Sequence, residues 1–166
     1  MSQSFFTAPR ALAVGAALLL GAGFAISANA QNAPGPSPSR QAVEARKAAF
    51  VLIANNFRPL GEVVKGNVPY DPAEVQKRAA RVAFLGGLLD EAFPDASNLG
   101  EPYSKAKAEV WSDHAGFDKK LKDFQAHAAT LVQVSATEKS ATDAFKTAFA
   151  AVGQDCKGCH ETYKVK

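Results

Sequence analysis

The chain has 166 residues, which suits one domain once any targeting segment is removed. Its net charge of +3 is too small to argue for nucleic acid, and no basic cluster with interleaved aromatics is present. With two cysteines, three histidines and one methionine in the whole chain, thiol, imidazole and thioether chemistry is confined to very few positions.

Residues 1–30 read as a secretory signal peptide. Arg10 supplies the positive charge, Ala11 to Ile26 form an apolar run, and Ala28-Asn29-Ala30 supplies the small residues of a cleavage site. The run is short and broken by glycine for a membrane span, which needs about 20 apolar residues. The alternative is an uncleaved anchor. Arg10 is the only charged side chain in this segment, so the exported chain keeps a net charge of about +2. Export places the mature chain in the periplasm, where thiols oxidise, with no membrane or nucleic-acid partner expected. Residues 31–39, "QNAPGPSPS", read as a flexible Pro/Gly/Ser tether.

Residues 40–166 read as helical throughout. In the first helix, about Arg40 to Val64, Phe50, Ile53, Phe57, Leu60 and Val64 recur at three and four residues. Pro59 falls inside it as a kink or early stop, and Lys65-Gly66-Asn67 is a stop signal. The second helix is expected over Pro72 to Phe93, with Asp71 as cap and Glu74 completing a capping box. Gly86-Gly87 weakens it, or admits a neighbouring helix or a large flat ligand. A polar connection follows over 94–107. The third helix is expected over Asp113 to Val134. The fourth is expected over Thr137 to Lys164, with Ser135 and Glu138 as a capping box. Four such helices make an all-α, antiparallel four-helix bundle, with another all-α arrangement as the alternative.

Both cysteines lie near the end, in "CKGCHETYK". C-x-x-C-H is the attachment motif of c-type haem. Thiols three residues apart on a helix lie on one side, so Cys156 and Cys159 can each add to a vinyl group of one porphyrin. His160 then presents its imidazole to the iron. A disulfide, a zinc site completed by His114 and His127, and chance occurrence are the competing readings. The pentapeptide, the export signal and the helical setting together favour covalent haem c.

Function turns on the sixth position of the iron. The single methionine, Met1, leaves with the signal peptide, so methionine ligation is excluded in the mature chain. His114 and His127 sit at the margin of the third helix's stripe and read as surface or boundary side chains. If no side chain ligates, Phe50 or Ile53 covers that face. The iron is then five-coordinate and high-spin, open to a small diatomic gas. An apolar ring offers no hydrogen bond to bound oxygen or peroxide, which argues against peroxidase or oxygenase chemistry.

Four stretches resemble the cytochromes c′, a family of exported bacterial haem proteins: "EARKAAFVLIANNFRPLGEVVKG", "PYDPAEV", "EVWSD" and "VGQDCKGCHETYK". The resemblance implies that Cys156 and Cys159 bind haem c and that His160 is the axial ligand. It implies Arg46 beside a haem propionate, Lys47 next to the haem, Phe50 over the vacant iron face, and Ser97 in a loop approaching a propionate. Lys164 stands where the family commonly has arginine, which keeps the charge but loses the planar fork. The resemblance further implies a homodimer that binds nitric oxide and carbon monoxide. A sister group carries a methionine sixth ligand from the first helix, which this chain lacks. Trp111 and Tyr163 read as packing residues rather than electron relays.

The expectation is a periplasmic haem protein that binds nitric oxide and carbon monoxide, in a scavenging role, and is not an enzyme. The alternative is an electron-transfer cytochrome with an internal sixth ligand and a redox partner protein. A third reading is turnover of nitric oxide or peroxide.

Overall fold

The computed structural model describes residues 35–166. The signal peptide and the tether up to Pro34 lie outside the described residues. Five helices follow: α1 Pro38–Val64, α2 Pro72–Gly87, α3 Glu109–Ser112, α4 His114–Thr137 and α5 Asp143–Tyr163. The four long ones form the bundle, α1 packing chiefly on α2, α2 on α4, and α4 on α5. No described helix is long and apolar enough to cross a membrane.

α1 starts at Pro38, within the stretch read as tether. Ser37 caps it by accepting a hydrogen bond from the Arg40 amide, and proline is favourable in the first helical turn. Pro59 neither stops nor ends this helix, which continues to Val64. Gly66 then takes a φ of 78°, the left-handed value that ends helices cheaply only at glycine. Asp71 caps α2 as expected, accepting from Ala73 and Glu74 amides at 3.0 and 3.2 Å. Glu74 does not complete a capping box with it. Its carboxylate pairs with Lys77 and Arg78 instead.

The glycine pair marks a real transition. α2 ends at Gly87, and the chain continues as a 3₁₀ turn over Leu88–Glu91 rather than as helix to Phe93. Gly86 serves the helix-approach role: a Cβ there would lie 2.7 Å from Phe124 Cε1 of α4. The α4–α5 boundary also differs from expectation. Ser135 turns its hydroxyl back to the Val132 carbonyl at 3.0 Å and α4 runs on to Thr137. Thr142 is the cap of α5, accepting from the Phe145 amide.

Phe145, Leu60, Leu131, Val75 and Val82 fill the main core. A second cluster of Val110, Phe117 and Tyr163 lies at the end of the bundle that carries Cys159, with Phe93 and Trp111 packed against it. The chain's last residues are paired to the loop before α3. The Val165 amide donates to the Lys105 carbonyl at 2.8 Å, and the Lys107 amide to the Tyr163 carbonyl at 2.9 Å. This strap fixes the end of α5, where the motif lies.

Candidate haem site

Cys156, Cys159 and His160 lie within the last turns of α5. Both thiols are free and half-buried. Burial, then the Asp155 charge, pushes the Cys156 thiol up to about 11. Burial also raises Cys159, against the opposing charge of Lys120. Desolvation, then the Lys164 charge, holds His160 below the ordinary imidazole range, which keeps the ring neutral and its lone pair available.

Phe50 of α1 faces His160. The ring centroids are 6.4 Å apart and the planes meet at 66°. Ile53, the other apolar candidate, is buried in the main core. Phe50 also meets Phe93 at 6.4 Å, and Phe93 continues an aromatic wall to Phe117 at 4.8 Å and Trp111 at 6.3 Å. Trp111 is held by its indole N–H, which donates to the Phe93 carbonyl at 3.1 Å.

Arg46 lies one turn before Phe50 and is 2% exposed. Its guanidinium donates to Ser97 Oγ at 2.7 Å, the Ser97 carbonyl at 3.1 Å, Ser104 Oγ at 2.7 Å and the Ala92 carbonyl at 3.4 Å. It also lies 4.9 Å from the Phe93 ring centroid and 5.5 Å from that of Trp111. All of those acceptors are neutral, so the buried cation has hydrogen bonds but no counter-charge. Burial lowers its pKa accordingly.

Sequence reading placed Arg46 and Ser97 in one site, and the structure brings them together. It missed Ser104, because a serine in a polar connection carries no local sign of a partner on α1. Lys47 is not part of this cluster: it is exposed and pairs with Glu44 at 3.0 Å. The other two histidines are engaged elsewhere. His127 Nδ1 lies 2.7 Å from Asp155 Oδ2, and His114 Nε2 lies 3.7 Å from Asp95. Among the described residues, no three of His, Cys, Asp and Glu gather as a metal cage, so the zinc arrangement does not form.

A protein-family model described as Cytochrome C' matches residues 41–164. The chain belongs to the cytochrome c′ family. A cytochrome c′ of Alcaligenes xylosoxydans xylosoxydans is 34% identical over 125 residues, spanning 75% of this chain and 94% of that protein. The structure of cytochrome c prime from Shewanella frigidimarina matches with a TM-score of 0.73 and 39% identity, over 80% of this chain and 100% of the other. A nitric oxide complex of a variant cytochrome c prime from Alcaligenes xylosoxidans matches with a TM-score of 0.71 and 32% identity, over 80% and 100% of the two chains. A carbon monoxide complex of a second variant of that protein matches equally.

A cytochrome c′ carries haem c. The residues present here fit it. Two free thiols three positions apart adjoin a neutral imidazole. Phe50 lies across the α1–α5 seam from His160, so the side chain nearest the imidazole on the facing helix is a hydrocarbon ring with no donor atom. The buried Arg46 cation supplies what an acidic edge of the haem requires.

Proposed function

We propose that this cytochrome c′ is an exported, periplasmic haem protein that captures nitric oxide and carbon monoxide on the iron face opposite His160. The observation that carries the reading is the hydrocarbon ring of Phe50 facing His160 at 6.4 Å, where an electron carrier would place a ligating side chain. The nitric oxide and carbon monoxide complexes of the Alcaligenes protein's variants support it.

When bound, the haem supplies an iron with one open coordination position. Cys156 and Cys159 would hold the group by thioether bonds, and His160 would ligate its iron. Arg46 would receive an acidic edge, with Ser97 and Ser104 holding the guanidinium in place. Phe50 excludes water and bulky ligands by occupying the space they need, and it offers no proton to a bound gas. That apolar lid favours reversible capture over turnover, so the reading is of a binding protein rather than an enzyme. Residues 1–30, with Arg10, the apolar run and Ala28-Asn29-Ala30, are the segment that would direct export and then be removed. The exposed side chains of Val51, Leu52, Phe84 and Leu88, on α1 and at the end of α2, support a homodimer closed across those helices.

The deciding experiment is the absorption spectrum of the ferrous protein with and without carbon monoxide. High-spin bands and a large shift on gas addition are expected. A sharp low-spin spectrum that carbon monoxide leaves unchanged would overturn the proposal and favour the electron carrier.

A further inference from the structure

α1 and α5 face each other along an antiparallel seam whose register can be read residue by residue. Phe50 meets His160 at one level. Seven residues along α1 and seven back along α5, Phe57 reaches Gly153, where a Cβ would lie 3.8 Å from Phe57 Cζ. Four residues further on each helix, Gly61 meets Phe149, where a Cβ would lie 3.2 Å from Phe149 Cζ. Between those levels the rings of Phe57 and Phe149 stack face to face, with centroids 4.3 Å apart and planes 9° from parallel. Both rings are half-buried and pack against the main core.

Gly61 explains how the rings fit: it leaves a notch on α1 into which the Phe149 ring settles, whereas at Gly153 a Cβ would make only an ordinary contact with Phe57. The stack then has a fixed thickness, because two rings in contact do not compress. α1 otherwise packs chiefly on α2, and α5 chiefly on α4. The width of the α1–α5 seam therefore depends on the few side chains that bridge it.

We propose that the Phe57–Phe149 stack is the spacer that sets the opening between Phe50 and His160, and with it the size of ligand admitted over the iron. The pair lies about 10 Å from Phe50 along α1, two helical turns away, so it acts through helix position and not by touching the gas. These are positioning residues, and the inference rests on the gas-binding reading above. Thinning the spacer brings α1 toward α5 and presses Phe50 onto the site. Thickening it lifts Phe50 away.

The test uses two variants of the haem-loaded protein with opposite expected signs. Phe149→Leu slows carbon monoxide association by about threefold or more, and Gly61→Ala, whose added methyl crowds Phe149, speeds it by a similar factor. Both effects vanish when Phe50 is already Ala, because Phe50 is the group being moved. Crystal structures of the variants show the Phe50–His160 separation changed in the matching directions. If the wild type binds carbon monoxide but both variants keep its association rate, or shift it the same way, the stack is only structural and the proposal is wrong. If the wild type itself does not bind the gas, the functional reading fails and this inference falls with it. Should Phe149→Leu fail to hold haem, Gly61→Ala decides alone, since alanine is the better helix former at that position.

Discussion

The phenol of Tyr163 donates a 2.7 Å hydrogen bond to Asp113, the residue that caps α4. The other oxygen of that carboxylate accepts from the Gly116 amide at 3.2 Å. One side chain thus ties the last turn of the helix that carries the cysteines to the first turn of its neighbour. Gly116 leaves the space for it: a Cβ there would lie 2.6 Å from the Tyr163 hydroxyl. Tyr163 is 4% exposed and packs edge-on against Phe117.

Tyr163→Phe keeps the packing and removes the bond. Because the acceptor is a carboxylate, the expected loss is about 1.5–3 kcal/mol. Urea unfolding of the ferric protein at neutral pH measures it. A variant as stable as the parent would show that the bond contributes nothing.

The same bond makes stability depend on alkaline pH. The hydrogen bond to Asp113, and then burial, push the Tyr163 phenol from its usual 10 up to about 12. The folded state therefore binds the proton more tightly than the unfolded state does. The contribution is fully present below pH 10 and is lost as pH rises toward about 12. Unfolding free energies measured across that window should fall more steeply for the wild type than for Tyr163→Phe.

Phe50→Ala opens the face opposite His160. Carbon monoxide affinity of the ferrous protein is expected to rise by about tenfold or more, since no ring has to be displaced. Titration followed in the visible spectrum gives the result directly. Unchanged or weaker binding would remove the steric guard from the account.

Arg46→Leu deletes the buried cation, leaving the Ser97 hydroxyl without its donor and Ser104 with only the Ala106 amide. A loss of about 2 kcal/mol is expected, with a reduction potential shifted to more negative values. Arg46→Lys should recover only part of either, because an ammonium cannot fork between two hydroxyls as a guanidinium does. Equilibrium unfolding and redox titration of the three proteins provide the comparison.

Phe84 is 69% exposed on α2. Phe84→Glu places a charge in the surface proposed to close the dimer and is expected to give a monomer in sedimentation velocity. An unaltered dimer would move the interface elsewhere.

Where local chemistry carries the structural signal, the sequence was readable. Asp71 before Pro72, Gly66 after α1, and the spacing of Cys156, Cys159 and His160 each act within one or two turns. The same local logic misled at Ser135 and Glu138. Their spacing matches a capping box, but nothing there interrupts α4, and Ser135 was free to bond one turn back within it. Phe50 and Ile53 were indistinguishable by periodicity. Only the packing of α1 against both the core and α5 separates them. The Arg46 cluster joins residues 51 and 58 positions apart, across a connection without periodicity, so Ser104 left no mark in the sequence.

The unmatched positive charge of Arg46 bears on how the protein is made. A polypeptide that has not yet received its pigment holds a desolvated cation bonded only to neutral oxygens, which disfavours the compact state. An acidic macrocycle attached here would supply the missing counter-charge, so attachment of the pigment and consolidation of this end of the bundle would be coupled.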